Sequence, residues 1–267
     1  MRAIYAVFAV ILALALAGVA GLRARRPPAP AALTPEGAAV RIEVRRPRED
    51  LVLAREAGGP WTVARQDDLA DAEAVELLLS GLRTLSFGPP IAPADAGLAG
   101  GLGPADSARV RVIGGDGRTL FDGLFGRRLF GRSSYFRASD RDEVRLATGA
   151  DPELLLRSSA QWREPRLLPG GCAGGVEVFA RGAWTPVADE DAARALCGLR
   201  ASHWETGGLE EPAGFDAPLL RARTPDGRGF TVGARRGRER LVRVDGRTPL
   251  LRIHAASIET LASDLIP

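Results

Sequence analysis

The sequence predicts an α+β protein: two related lobes, an internal duplication of antiparallel strands with packed helices, preceded by an N-terminal transmembrane helix. A repeat and an apolar run carry that expectation. The stretch Gly58-Gly59-Pro60-Trp61-Thr62-Val63-Ala64, followed by acids and a Leu/Ala run to Leu82 and Leu85, returns as Arg181-Gly182-Ala183-Trp184-Thr185-Pro186-Val187-Ala188. Acids and then Ala195, Leu196 and Leu199 follow the second copy as well, so Trp61 and Trp184 are expected at equivalent positions against their lobe's helix. Further echoes pair Asp116-Gly117-Arg118 with Asp226-Gly227-Arg228, and Val144-Arg145-Leu146 with Leu251-Arg252-Ile253. The interval between partners shortens along the chain, so the second copy is trimmed in its loops, where repeats vary.

Residues 3–22 carry no charge. An α-helix needs about 20 apolar residues to cross a bilayer's hydrocarbon core, so this run is read as an uncleaved anchor within residues 1–25. Gly18-Val19-Ala20 offers a small-x-small cleavage site, but the run is long for a signal peptide. Arg23, Arg25 and Arg26 after the span argue for a cytoplasmic domain by the positive-inside rule. The very short N-terminal tail and the paired cysteines argue for export. We take export, which places the bulk of the chain in the periplasm on a single-pass inner-membrane anchor. Residues 26–37, rich in Pro and Ala, read as an extended linker.

The first lobe is expected over residues 38–168. Val40, Ile42 and Val44 alternate with charged residues as a half-buried strand, Leu51 and Leu53 continue as a second, and Trp61 to Val63 as a third. Asp68 or Asp71 caps a helix whose apolar face is Ala74, Val75, Leu78, Leu79, Leu82 and Leu85. Residues 87–103, full of Gly, Pro and Ala, read as a long loop. Strands resume at Val110 and Val112, turn through Gly114-Gly115-Asp116-Gly117, and continue at Thr119–Phe121, Tyr135–Arg137 and Val144–Leu146. Asp151-Pro152 opens a helix ending near Trp162, and residues 165–175 mark the boundary. The second lobe, residues 172–267, repeats the order and closes on a helix from Ala255 to Leu265.

Composition narrows the chemistry. All 36 basic residues are arginine, so no Schiff-base or phosphate-loop lysine exists, and the net charge is only +3 over 267 residues. Cys172 and Cys197 form an even count: one disulfide in an oxidising compartment, or two buried thiols. We expect the disulfide, tying the strand after the boundary to the second lobe's helix. His203 and His254 lie in no ligand-spaced cluster, and His203 is read as sitting at a helix end. The acid groups Asp67-Asp68, Asp189-Glu190-Asp191 and Glu210-Glu211 are explained first as helix N-termini and solvated loop. Gly100-Gly101-Leu102-Gly103 has no strand before it and supports phosphate binding weakly. No catalytic residue, metal site or cofactor is expected.

Arginines interleaved with aromatics are the more specific feature. Arg127, Arg128, Arg132 and Arg137 alternate with Phe125, Phe130, Tyr135 and Phe136, and Arg235, Arg236, Arg238, Arg240 and Arg243 stand at the matching place in the second lobe. Charged strand edges that resist edge-to-edge pairing are the plain explanation. A contact with an acidic protein or anionic lipid headgroups, made by Arg127, Arg128, Arg132, Tyr135 and Arg137, is the functional one. Nucleic acid is not an expected partner of an exported domain.

On Ile42-Glu43-Val44, Leu51-Val52-Leu53-Ala54-Arg55, Gly59-Pro60-Trp61-Thr62-Val63, Tyr135-Phe136-Arg137, Val144-Arg145-Leu146 and Trp162-Arg163 before Leu167-Leu168, the chain resembles the bacterial DUF4340 family of membrane-anchored proteins. The resemblance covers roughly residues 38–170, rests on the order of individually unspecific motifs, and extends more weakly through the repeat. It implies a membrane location beside ABC-type exporters related to gliding-motility transporters, with transporter components as partners and no reaction attached. The expected function is thus a non-catalytic, extracytoplasmic accessory module, with a structural envelope protein or an extracytoplasmic enzyme as the alternatives.

Overall fold

Two antiparallel sheets with few helices make this an α+β protein. The structure is a computed structural model and describes residues 30–33, 38–65, 68–91, 100–103, 105–205 and 213–265. The apolar N-terminal run, most of the Pro-rich linker, Asp67 and Glu210-Glu211 lie outside the described residues, among which no helix is long and apolar enough to cross a membrane. The chain divides into compact units at residues 1–31 and 32–267; of the first, only Pro30 and Ala31 are described.

In the second unit the chain runs through β1 (Ala39–Arg45), β2 (Asp50–Ala54), β3 (Thr62–Val63), β4 (Asp68–Leu69) and helix α1 (Ala72–Arg83). It continues through β5 (Ser86–Ile91), β6 (Ala108–Gly114), β7 (Thr119–Arg128), β8 (Ser133–Ala138), β9 (Val144–Thr148) and α2 (Pro152–Leu156). These nine strands form one sheet in the order β4-β3-β2-β1-β6-β7-β8-β9-β5. The second sheet holds β10 (Glu177–Ala180), β11 (Ala183–Pro186), β12 (His203–Trp204), β13 (Leu220–Arg223), β14 (Gly229–Arg236), β15 (Glu239–Val244) and β16 (Leu251–His254), with helices α3 (Glu190–Cys197) and α4 (Ala255–Leu265). Its order is β11-β10-β13-β14-β15-β16-β12. Without β3 and β4, the first sheet reads β2-β1-β6-β7-β8-β9-β5, which matches the second strand for strand.

Alternation builds both cores. Ile42, Val44, Val110, Val112, Phe121, Phe125 and Phe136 point inward from the first sheet onto Val75, Leu78, Leu79 and Leu82 of α1, the helix face read from the sequence. Val178, Val232, Val242, Leu251 and Ile253 meet Leu196 of α3 and Ile258 of α4 in a separate core. Asp71 caps α1, accepting from the Glu73 and Ala74 amides, and Asp189 caps α3 through the Ala192 amide. The β6–β7 and β13–β14 hairpins share one turn. Gly117 and Gly227 each bond back three residues, at φ of 79° and 88°, a left-handed conformation that glycine adopts without steric cost.

Several expectations are corrected. Trp61 is 4% exposed and lies just before β3, a strand with no counterpart in the second sheet. Trp184 lies within the edge strand β11, half-buried against Phe179 and under the Arg223 guanidinium, 4.2 Å from its ring. The two tryptophans are therefore not equivalent; the echo arises because each follows a Gly turn on the way to an Asp-capped helix. Residues 87–103 include most of β5, whose Pro89 and Pro90 are tolerated because β5 is an edge strand. Helix α2 ends at Leu156, and a separate 3₁₀ turn (Ala160–Trp162) follows. His203 sits in β12, at the opposite sheet edge, and at no helix end. Asp68 does not cap α1; it belongs to β4 and faces Arg247.

Cys172 and Cys197 are disulfide-bonded with Cα atoms 5.9 Å apart. Cys197 closes α3 as expected, whereas Cys172 lies in the turn ahead of β10 and not in a strand. Between the cores the chain is clamped on both sides. Glu164 donates its amide to Leu69 O and Trp162 accepts from the Asp71 amide, while Leu167 N binds Leu199 O and Ala201 N binds Pro165 O.

The unequal tryptophans give a direct measurement. Trp61→Ala is expected to cost about 3–5 kcal/mol in denaturant unfolding. Trp184→Ala, which removes a half-exposed ring, is expected to cost about 1–2 kcal/mol. Equal costs would contradict the different positions of the two rings.

Candidate functional site: the arginine-rich end of the first sheet

Antiparallel register decides which loops share an end of the first sheet. Arg45 pairs with Asp50, Val63 with Asp68, and Arg128 with Ser134. The β1–β2 turn, the β3–β4 connection and the β7–β8 hairpin tip therefore project together. The β2–β3 and β6–β7 turns lie at the other end.

At the projecting end, the close of β7 and helix α2 enclose a groove of about 450 Å³ whose lining includes Asp106, Phe125, Arg127, Arg128, Leu155 and Leu156. Its floor is apolar, since Phe125 and Leu155 belong to the core. Gly126 lets the 100–102 segment close over it: a Cβ at that position would fall 2.2 Å from Gly100 O, where the Arg127 amide already bonds at 2.8 Å. Arg128 pairs with Glu153 in the first turn of α2, whereas the Arg127 guanidinium has no ion pair or hydrogen bond among the described residues. Leu156 stands at the rim, 69% exposed.

Of the residues singled out in the sequence, Arg127 and Arg128 line this groove, and Arg132 is exposed in the adjoining hairpin turn. Tyr135 and Arg137 do not join them. They flank Phe136 in β8 and so take the sheet's other face, where Tyr135 packs against Leu102 and Val144. The lobe-two arginines are largely tied up internally: Arg235 and Arg240 both bind Glu259, and Arg243 stacks on Phe215.

The sequence reading missed a second, more polar cavity of about 510 Å³, lined by Arg46, Arg48, Glu49, Asp50, Arg65 and Ser159. Arg46 is structural, bonded to Glu49 and to the Arg157 carbonyl. Burial acts to raise the Glu49 carboxyl, but hydrogen bonds from Ser159 and the Arg46 charge outweigh it and hold the carboxyl below its ordinary value. The run Arg45-Arg46-Pro47-Arg48 was the available signal; only the register brings it beside Arg65.

Acid–base chemistry finds structural roles. Asp122 receives Arg109 through two bonds of 2.8 Å, with Arg111 and Ser139 on the same carboxylate. Burial opposes its ionisation, yet these donors hold its pKa at about 2. Ser202 Oγ and His203 Nδ1 both meet Glu239 Oε1, at 2.6 and 2.7 Å. The serine thus donates to the acid and not to the histidine, an order that gives no activated nucleophile. Gly103 O accepts from Asp106 N and Ser107 N, so the Gly100–Gly103 stretch serves a local turn. No group of three His, Cys, Asp or Glu side chains suited to a metal occurs among the described residues.

Comparison with protein-family models, curated proteins and solved structures finds no match for this chain.

The Asp122 cluster predicts a pH dependence. A carboxyl whose folded pKa of about 2 lies below its ordinary 3.8 contributes its full stability above the ordinary value and loses it as pH falls through that window. The stability gap between wild type and Asp122→Asn should therefore be constant near neutrality and close as pH drops from about 4 to about 2. A gap independent of pH, measured by denaturant unfolding, would contradict the ion-pair assignment.

Proposed function

We propose that the chain is a membrane-tethered, non-catalytic binding module of the cell envelope, built from a duplicated lobe and working beside an ABC-type export system. The tether reading rests on the apolar run at residues 3–22 and the Pro-rich stretch behind it. The duplication reading is supported by the seven-strand order common to both sheets and by the matching hairpin turns. The Cys172–Cys197 bond suits an oxidising, extracytoplasmic compartment. The DUF4340-like motifs supply the exporter neighbourhood and remain a resemblance.

One observation carries the binding reading. The groove between β7 and α2 combines an apolar floor, the exposed Leu156 at its rim and the Arg127 guanidinium without a partner among the described residues. Such a groove suits a partner segment that pairs an apolar anchor with an acidic residue. Tethering raises the effective concentration of a partner in the same membrane, so a modest contact suffices.

Cross-linking in membranes, followed by identification of the partner, tests this. The double variant Arg127→Glu/Leu156→Glu should reduce recovery of transporter components about tenfold, the equivalent of ~1.4 kcal/mol, and leave the thermal melt nearly unchanged because both side chains are exposed. Recovery at the wild-type level would overturn the groove assignment, and turnover of an envelope substrate by the purified protein would overturn the non-catalytic reading.

A further inference from the structure

Beside the groove, the tip of the β7–β8 hairpin has an unusual composition. It reads Arg128-Leu129-Phe130-Gly131-Arg132, closed by the bonds Leu129 N to Ser133 O and Ser133 N to Phe130 O. Polar residues satisfy such a turn, yet Phe130 is 70% exposed and Leu129 39%. The turn is closed by backbone bonds alone, so among the described residues neither side chain is needed to form it. It is also convex, since these residues project beyond the last strand pairing, Arg128 with Ser134.

The charges at this end complement the apolar tip. Arg48, Arg65 and Arg132 have no ion pair among the described residues. Glu49 and Glu153 at the same end are committed to Arg46 and Arg128 and Asp151 caps α2, which leaves Asp106 and Asp50, the latter opposite Arg45. At the far end the charges are matched instead: Asp116 pairs with Arg118 and Asp140 with Arg141, and only Glu56 and Asp142 are exposed acids without an ion pair among the described residues. The first sheet thus carries unpaired arginines beside exposed apolar side chains at one end, while its far end is close to charge balance.

We propose that this end rests on an anionic bilayer surface, with Leu129 and Phe130 entering the interface and the surrounding arginines meeting lipid phosphates. An interfacial membrane contact joins a shallow apolar insertion to a cationic surround, and a projecting tip reaches a bilayer where a groove does not. Guanidinium binds phosphate through paired N–H groups, and the attraction is screened by salt. The inference rests on the tethered-module reading for its setting: an anchored domain lies within reach of its own membrane. It then aims the neighbouring groove at whatever emerges from that membrane.

The test uses the full chain reconstituted in vesicles and the variant Phe130→Cys carrying an environment-sensitive fluorophore; the native cysteines are bonded to each other and do not label. In phosphatidylcholine vesicles containing phosphatidylglycerol, spin-labelled lipids should quench the probe about twofold or more, with the effect falling in high salt. Quenching should disappear in phosphatidylcholine alone and in the background Arg48→Glu/Arg65→Glu/Arg132→Glu. The same probe on Ala57→Cys, in the β2–β3 turn at the opposite end, should stay unquenched. An unquenched probe at position 130, equal quenching at both positions, or quenching indifferent to lipid charge would each overturn the proposal. Partner recovery with the Leu129→Ser/Phe130→Ser variant separates this failure from that of the groove: loss of recovery with no lipid quenching would assign the tip to the protein partner and overturn the bilayer contact.

Discussion

The arrangement of the second unit depends on a buried ion pair between residues far apart in the chain. Arg247, in the turn between β15 and β16, sends Nε and Nη2 to the two oxygens of Asp68 in β4 at 2.8 and 2.9 Å. Their side chains are 1% and 0% exposed. Burying two charges is expensive, and only bidentate geometry repays the desolvation. The pair therefore adds little to stability while intact, and a great deal is lost when one partner is missing. What it fixes is position, because the bidentate bond to Asp68 forms only when the β15–β16 turn is seated against β4.

Around this pair the connecting chain is held on both sides. Residues 162–164 bond to the β4–α1 segment and residues 165–167 to the segment after α3. Arg163 lies between Asp68 and Arg247 in charge and over the Trp204 ring at 5.7 Å; burial lowers its pKa, with Asp68 opposing and Arg247 adding to that effect. The two extra strands of the first sheet acquire a purpose here. β3 and β4 extend it beyond the order shared with the second sheet, and β4 supplies the carboxylate that meets the second lobe. The same β3–β4 connection brings Arg65 to the cationic end, so the device that seats the second lobe also shapes the proposed working surface.

Periodicity made much of the fold legible. The alternation through Ile42 and Val44, the apolar face of α1, the Asp caps and the two Gly turns all follow from neighbours in sequence, and local patterns determine local structure. Strands of two residues, such as β4 and β12, are too short to show a period. Pro89 and Pro90 disguised β5 because an edge strand tolerates residues that a central one refuses. The site was legible in part: Arg127, Arg128 and Arg132 stand at one end, but the alternation of β8 sends Tyr135 and Arg137 to the other face. Arg48 and Arg65 reach that end only through cross-strand register. The Asp68–Arg247 pair, separated by 179 residues, leaves no local trace at all.

The Asp68–Arg247 pair seats the two cores as one body. Denaturant unfolding of Arg247→Met tests it most directly. With the Asp68 carboxylate left buried without its bidentate partner, the variant should lose about 3–5 kcal/mol, and adding Asp68→Asn should restore part of the loss by removing the stranded charge. A loss below about 1 kcal/mol in Arg247→Met, with nothing regained in the double variant, would contradict it.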